Sequence, residues 1–532
     1  MQTLLPGNST TDHSPVTRPK EGRPWLWLIL FVFIIGLYFV LRFDGRWSET
    51  DSAAFTNLSQ VFIHDGRLEP VSGEAYPHGY GYQAISAFLV SVTGLDVSTF
   101  QQILFPLLAC LVVIPAWVMY RELIGNARGA TIACTLLFIQ PEFLFVILRS
   151  SHEKFSRTFM ILCLFALIRS FKLRGNVRQF AVYVFLFYLS AFALIATNNL
   201  LSHSFIFALA LALLLGWLGS RWKKNLRIQN NIIFIRFTYA TIICLGLVFV
   251  FTFYFYNPAK LDFVLIKSIG DKIASLFLDV QKPTSSSYTY VAEAWVSYGV
   301  YLLISIANWT LLAGSVIIWA VQGFRWFILG KTPASEWDWI IWILYTAFSI
   351  QGAFSMVADT SGAFDNLQYR MFPSFSLFAI ALVSTYLSRF RPRKFARSFQ
   401  LAFTACIFCI SILSVLKATN EPLLSNKWTF YRPAEISIID WSVAYQPNSY
   451  VWTEFDERLI TAYLTEKNLP ASNKLIAFDY EPSTRDAIAT TISRLRSIRQ
   501  QRALPIPPDA MQVYDNGEAQ FYHYRPLTPF QR

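Results

Sequence analysis

Long apolar runs broken by short polar, mostly basic stretches set the rhythm of this chain. Eleven runs stand out, near 25–42, 100–120, 129–147, 157–171, 179–197, 204–219, 232–256, 294–321, 338–356, 371–388 and 399–416. A hydrocarbon core of roughly 30 Å takes about 20 apolar residues of helix. The pattern therefore predicts a polytopic α-helical membrane protein with about 11 transmembrane helices. Polar sequence persists in three places: a tail over 1–24, a loop over 43–99 inside the membrane domain of 25–416, and a segment over 417–532.

That last segment reads as a small α/β domain. "SYVWTEF" and "KLIAFDY" have the composition of strands, "DERLITAYLTEK" and "STRDAIATTISRLRSIRQQR" the pattern of helices. "MQVYDNGEAQFYHY" predicts a hairpin turning at Asp515-Asn516-Gly517. In the long loop, Phe55, Leu58 and Phe62 recur at helical spacing, predicting an amphipathic helix along the membrane surface. "AYPHGYGYQAI" then turns the chain back through Pro77, Gly79 and Gly81.

Composition agrees with the runs: 54% of residues are hydrophobic and 15% charged. The formal net charge of +12 does not imply a nucleic-acid partner, because the basic residues fall in every second loop. Arg121 and Arg128 come first, then Arg169, Lys172, Arg174 and Arg178, then Arg221, Lys223, Lys224 and Arg227. Arg325 and Lys331 follow, and lastly "RFRPRKFAR" at 389–397. This alternation predicts a cytoplasmic N-terminus, and an odd number of spans then puts 417–532 on the extracytoplasmic face. The first run carries no small-residue cleavage pattern and reads as an uncleaved anchor in a multi-pass plasma-membrane protein. All six cysteines lie in apolar runs, so neither a disulfide framework nor a thiolate zinc site is indicated.

Charge picks out the outer ends of the spans. Glu49 and Asp51 follow the first run, "RSSHEKFSR" lies at 149–157, and "ADTSGAFDNLQYR" at 358–370. A reaction there on a lipid-linked phosphate needs a carboxylate to deprotonate an acceptor or hold a divalent cation, for which Asp51 and Glu49 are candidates. It needs cations for the phosphate, for which Arg149, Lys154, Arg157 and Arg370 stand at the right depth. His78 and Tyr80 are further substrate-binding candidates, unless they only shape the turn. Plainer readings stand beside these. Ser48-x-x-Asp51 and Ser150-x-x-Glu153 both fit a helix capping box, and the basic residues suit lipid headgroup anchoring.

The acidic "ETDSAAF" after the first run, the polar "RSSHEKFSR" in the next outer loop, some eleven helices and an outer α/β domain together resemble the GT-C membrane glycosyltransferases. These include protein O-mannosyltransferases, the lipid A aminoarabinose transferase and the catalytic subunit of oligosaccharyltransferase. The resemblance implies a polyprenyl-phosphate or polyprenyl-pyrophosphate sugar donor, a protein, lipid or glycan acceptor, and transfer on the extracytoplasmic face. It gives Asp51 the role of base or metal ligand, with Glu49 beside it. His152 and Glu153 take the place of the second acidic motif, so that Asp51 and His152 could share a divalent metal such as Mg or Mn. Arg370 resembles a late-loop arginine that contacts donor or acceptor. The oligosaccharyltransferase signature Trp-Trp-Asp-Tyr-Gly is missing from 451–459, so N-glycosylation at sequons is not indicated. An oligosaccharide polymerase or ligase would share the donor, and a transporter or flippase is the reading of a different class.

Overall fold

The structure is a computed structural model of the 532-residue chain. It describes residues 24–43, 47–48, 51–67, 80–149, 151–173, 176–222, 227–251, 298–360, 367–389, 397–420, 430–446, 450–469, 475–477, 485–500 and 503–524. Most of these residues are helical, and a helix stands at each of the eleven apolar runs. Seven described helices are long and apolar enough to cross a membrane: Trp25–Arg42, Val97–Ile124, Val177–Thr197, Asn199–Gly219, Leu302–Ile328, Glu336–Asp359 and Arg370–Arg389. At the remaining runs the apolar part is shorter, as in Ile235–Val250 and Ala405–Ala418, or is flanked by charge, as in Glu153–Lys172.

The helices are α1 (Pro24–Phe43), α2 (Asp51–Asp65), α3 (Gly81–Thr93), α4 (Val97–Ile124), α5 (Ala127–Leu137) and α6 (Pro141–Leu148). They continue as α7 (Glu153–Lys172), α8 (Val177–Thr197), α9 (Asn199–Trp222), α10 (Arg227–Val250), α11 (Tyr298–Gly323), α12 (Glu336–Thr360), α13 (Leu367–Arg389) and α14 (Arg397–Asn420). Two of them depart from a straight rod. α4 contains a π-helical turn at Phe100–Leu104 and a tighter turn at Cys110–Val112 around Pro106, whose ring cannot donate a helical hydrogen bond. α5 and α6 meet at 77°, because Pro141 opens α6 and drives the preceding Gln140 into an extended conformation.

Beyond the bundle, a five-stranded mixed sheet contains β3 (Val451–Thr453), β4 (Leu475–Ala477), β5 (Asp486–Thr490), β6 (Met511–Asp515) and β7 (Ala519–His523). Its order is β4-β3-β5-β7-β6, with β3 parallel to β4 and β5 and the rest antiparallel. The hairpin turns as its sequence predicts, with Gly517 at φ +85°. The expected helix over 483–502 instead splits into strand β5 and a helix, Thr491–Gln500. All five residues of Asp486–Thr490 are buried between two neighbouring strands, a setting that outweighs the helix propensity of Ala487 and Ala489.

This sheet does not stand apart from the long loop. β1 (Trp47–Ser48) pairs antiparallel with β2 (Phe430–Tyr431), joining the start of the loop to the start of the C-terminal region. α2 lies against the helix Glu457–Glu466, Gln60 Nε2 donates to the Ala462 carbonyl at 3.2 Å, and Ala53 belongs to the core formed by Tyr431, Phe455 and Leu459. The membrane-surface placement expected for α2 is thus corrected. Its apolar residues Phe55, Leu58 and Phe62 are buried against protein.

Candidate functional site

The cationic segment is put in place by the bent helix pair and by α7. Arg149 caps the end of α6, its guanidinium 5.0 Å from the Phe145 ring centroid. His152 precedes α7 as its N-cap without forming a side-chain cap bond, and Ser150, the expected capping partner of Glu153, lies outside the described residues. Glu153 lies in the first turn, within electrostatic reach of Arg370, Arg149, His152 and Arg157. Three guanidiniums and an imidazole thus act on this carboxylate.

Arg157 sits one turn beyond Glu153, on the same helix face. It is 2% exposed, and its guanidinium donates to the Ser374 hydroxyl and to the backbone carbonyl of Arg370. It therefore ties α7 to the first turns of α13 and brings 149–157 together with Arg370, residues more than 200 apart in sequence. Lys154 points elsewhere. It is 1% exposed, its Nζ has no hydrogen-bond partner, and the ammonium rests 5.3 Å from the Phe105 ring centroid.

Aromatic rings connect this segment to the first loop. The Phe55 ring of α2 lies 4.8 Å from the His152 ring and 5.0 Å from Tyr82, and Tyr82 meets Phe105 and Phe155 at 5.7 and 5.6 Å. The hydroxyls of Ser52, one turn before Phe55, and of Ser151, beside His152, are buried without hydrogen-bond partners. Buried polar atoms are normally paired, so a concentration of unpaired ones marks a place where a ligand or water completes the set. A polar clasp fixes α2 here: Thr56 donates to Gln101 Oε1 at 2.9 Å, and Gln101 Nε2 donates to Ser59 at 3.2 Å.

Asp51 opens α2 three residues after the strand Trp47–Ser48, and its side chain lies outside the described residues. Glu49 and His78 also lie outside them. Ser48, the expected capping partner of Asp51, is committed to that strand. Tyr80 caps the start of α3 through its backbone, with its ring 6.0 Å from Phe62. Among the described residues no group of three or more His, Cys, Asp or Glu side chains gathers as a metal site.

Sequence reasoning missed Tyr82, Gln101 and Ser374. Each is a neutral side chain, and nothing in its local pattern separates it from ordinary helix packing. It also missed Glu142, an acidic residue inside the expected span 129–147 that accepts from Asn308 Nδ2 at 3.2 Å. Glu142 was the one signal visible in the sequence, because ionisable residues within spans are rare and usually functional.

No protein-family model matches the chain, and no curated protein matches it in sequence. Solved structures do match. ArnT from Cupriavidus metallidurans in the apo state is 13% identical at a TM-score of 0.51, covering 95% of this chain and 99% of that one. The same protein bound to undecaprenyl phosphate gives 13% and 0.50 over 94% and 98%. The archaeal oligosaccharyltransferase AglB from Archaeoglobus fulgidus, in complex with an inhibitory peptide and a dolichol-phosphate, gives 12% and 0.43 over 86% and 61%. With a likeness to ArnT that runs the length of both chains, this protein has the fold of ArnT.

Proposed function

We propose that the protein transfers a sugar from a polyprenyl-phosphate or polyprenyl-pyrophosphate donor to an acceptor on the extracytoplasmic face of the plasma membrane. The observation that carries this reading is a cluster of cations at the start of α7, where Arg370, Arg149, His152 and Arg157 all act on Glu153. Such a concentration of positive charge attracts an anion, and a lipid-borne phosphate brings one together with an apolar chain suited to the helices. ArnT, the fold's full-length likeness, has been captured with undecaprenyl phosphate.

In this reading Asp51 accepts the proton of the acceptor hydroxyl or amide as its oxygen or nitrogen attacks the anomeric carbon. The bond from that carbon to the phosphate oxygen breaks, and polyprenyl phosphate, or polyprenyl pyrophosphate from the pyrophosphate donor, leaves with its charge held by the arginines. His152 stands among those arginines, a setting that suits an anion better than a divalent cation. A metal at Asp51 would therefore look to Glu49 rather than to His152 for a second ligand. A protein, lipid or glycan acceptor fits this chemistry equally, so a polymerase or ligase of lipid-linked glycans is the same reaction with a longer acceptor.

A transporter reading draws on two observations: the polar contact of Glu142 inside the bundle, and the bent pair α5–α6. Among the described residues that bend has no counterpart in a second half of the chain, as inverted-repeat transporters have. The deciding experiment is release of polyprenyl phosphate from a labelled polyprenyl-phosphate sugar by purified wild type and Asp51→Asn, each with and without EDTA. Turnover by wild type that disappears in folded Asp51→Asn supports the reading, and loss on EDTA gives Asp51 to a metal. No release by wild type ends the glycosyltransferase reading, and equal release by both ends the role of Asp51.

A further inference from the structure

Inside the bundle, four polar side chains from three helices meet. Ser305 and Asn308 lie three residues apart on one face of α11, within the apolar stretch Leu302–Ile328. Asn308 Nδ2 donates to both carboxylate oxygens of Glu142, at 3.2 and 3.4 Å. Lys417, near the end of α14, donates to the Ser305 hydroxyl at 2.9 Å and acts electrostatically on Glu142. Ser305, Asn308 and Lys417 are buried. α11 thus carries a two-pronged bridge between a carboxylate on α6 and an ammonium on α14.

The location gives this bridge its consequence. Glu142 is the second residue of α6, and Arg149 caps the other end of that helix, which is eight residues and therefore about 12 Å long. α6 leaves α5 at 77°, so the regular hydrogen bonding of a continuous helix does not set its direction. The geometry points to Glu142, Asn308, Ser305 and Lys417 as positioning residues: a polar lock that fixes the angle of α6 and so places Arg149 and the segment 151–157. The inference rests on the reading of 149–157 as part of the donor site. It adds that the aim of this segment is set about 12 Å away, by the helix that leads into the C-terminal region. An error of 1 Å in the placement of a binding group can cost about a hundredfold in rate, so a lock at this distance matters for turnover.

The test compares Glu142→Gln, Lys417→Met and the double variant with wild type, all as full-length protein in nanodiscs. The first readout is hydrogen exchange of the backbone amides over 143–157, which needs no substrate. The second is kcat against KM for the polyprenyl-phosphate sugar. Each single variant removes one of the two interacting charges and is expected to speed exchange over 143–157 by about tenfold, while exchange in α8 and α9 is unchanged. Turnover falls through kcat more than KM. The double variant removes both charges and is expected to recover most of each loss, which a merely additive loss of stability does not do. Singles that fold and exchange as wild type overturn the lock, as does a double variant as impaired as the two singles added together. If a single variant does not fold, recovery of folding in the double variant supports the charge coupling, and its failure overturns it. A wild type that releases no polyprenyl phosphate removes the donor reading alone, because the exchange comparison still decides the lock.

Discussion

The acidic and cationic segments of the candidate site are held by different parts of the molecule. The acidic one, 47–65, is carried largely by the C-terminal region, through the β1–β2 pair, Ala53 in that region's core and the contact of Gln60 with Ala462, and is clasped to α4 by Thr56 and Ser59 on Gln101. The cationic one, 149–157, is carried by the bundle, through Arg157 on Ser374 and the Arg370 carbonyl. The two meet where the Phe55 ring lies on His152. The proposed base and the proposed cationic clamp are therefore held by partly different contacts. Loosening the sheet should disturb the first and spare the second, and cutting the arginine tether should do the reverse.

Arg157→Met is expected to have the largest effect. It removes both hydrogen bonds to α13 and one of the cations around Glu153, and donor turnover should fall on the order of a hundredfold or more. Arg157→Lys should restore part of the charge but not the two-pronged contact. Turnover measured on protein that is monodisperse by gel filtration checks both, and wild-type turnover in folded Arg157→Met would break the comparison.

Phe455→Ala comes next. Phe455 is fully buried with its ring 4.7 Å from Tyr431, and its loss should destabilise the C-terminal region by about 3–5 kcal/mol. Limited proteolysis should then cut 430–524 and free the 47–65 segment, with turnover lost, while a polyprenyl-phosphate probe still binds the bundle.

A smaller, pH-dependent effect is expected where the Glu457–Glu466 helix meets the start of α4. Ser98 hydrogen bonds to Glu466 and to Asp96. Burial pushes the Glu466 carboxyl above its usual range, the Ser98 bond pulls it partly back, and the nearby Asp96 charge raises it again. A carboxyl raised on folding contributes fully below its unfolded value of about 4.3, and this contribution is lost as pH rises through the folded value. Asp96 works in the opposite sense. Burial raises it, but the bonds from the Thr99 hydroxyl and amide and from Ser98 outweigh burial and hold it low. Its contribution is present above about pH 3.9 and is lost as pH falls through the lowered value. From about pH 4.3 upward, the C-terminal region should therefore weaken through Glu466, and through Glu435, whose carboxyl burial also raises. Thermal unfolding of the C-terminal region in Glu466→Gln should have a shallower slope than wild type, and an unchanged slope would assign the pH dependence to Glu435.

Gly517→Ala should have the smallest effect. At φ +85° an alanine is strained by about 1 kcal/mol, which should lower C-terminal stability slightly and leave donor turnover as in wild type, because the turn is exposed and lies at the end of the hairpin. A loss of turnover here would show that the sheet acts on the site as a single body.

Much of the architecture could be read along the chain. Apolar runs of membrane length, the Asp-Asn-Gly turn and the amphipathic spacing of Phe55, Leu58 and Phe62 are local signals, and hydrophobic periodicity carries them without reference to the rest of the molecule. "RSSHEKFSR" and Arg370 could be singled out for the same reason, because charge is conspicuous against apolar sequence. Tertiary structure decided what those signals are for. The face of α2 that suits a membrane surface suits a protein core equally well, and only the fold brings Tyr82, Phe105 and His152 around Phe55 and Tyr80 beside Phe62. Asp486–Thr490 became a strand because its neighbours are strands. Arg157 reaches Arg370 across more than 200 residues, and Glu142 comes within the field of Lys417 across 275. Contacts at such separations leave no mark in local pattern, since what pairs two buried polar groups is the cost of leaving either one alone in the assembled interior.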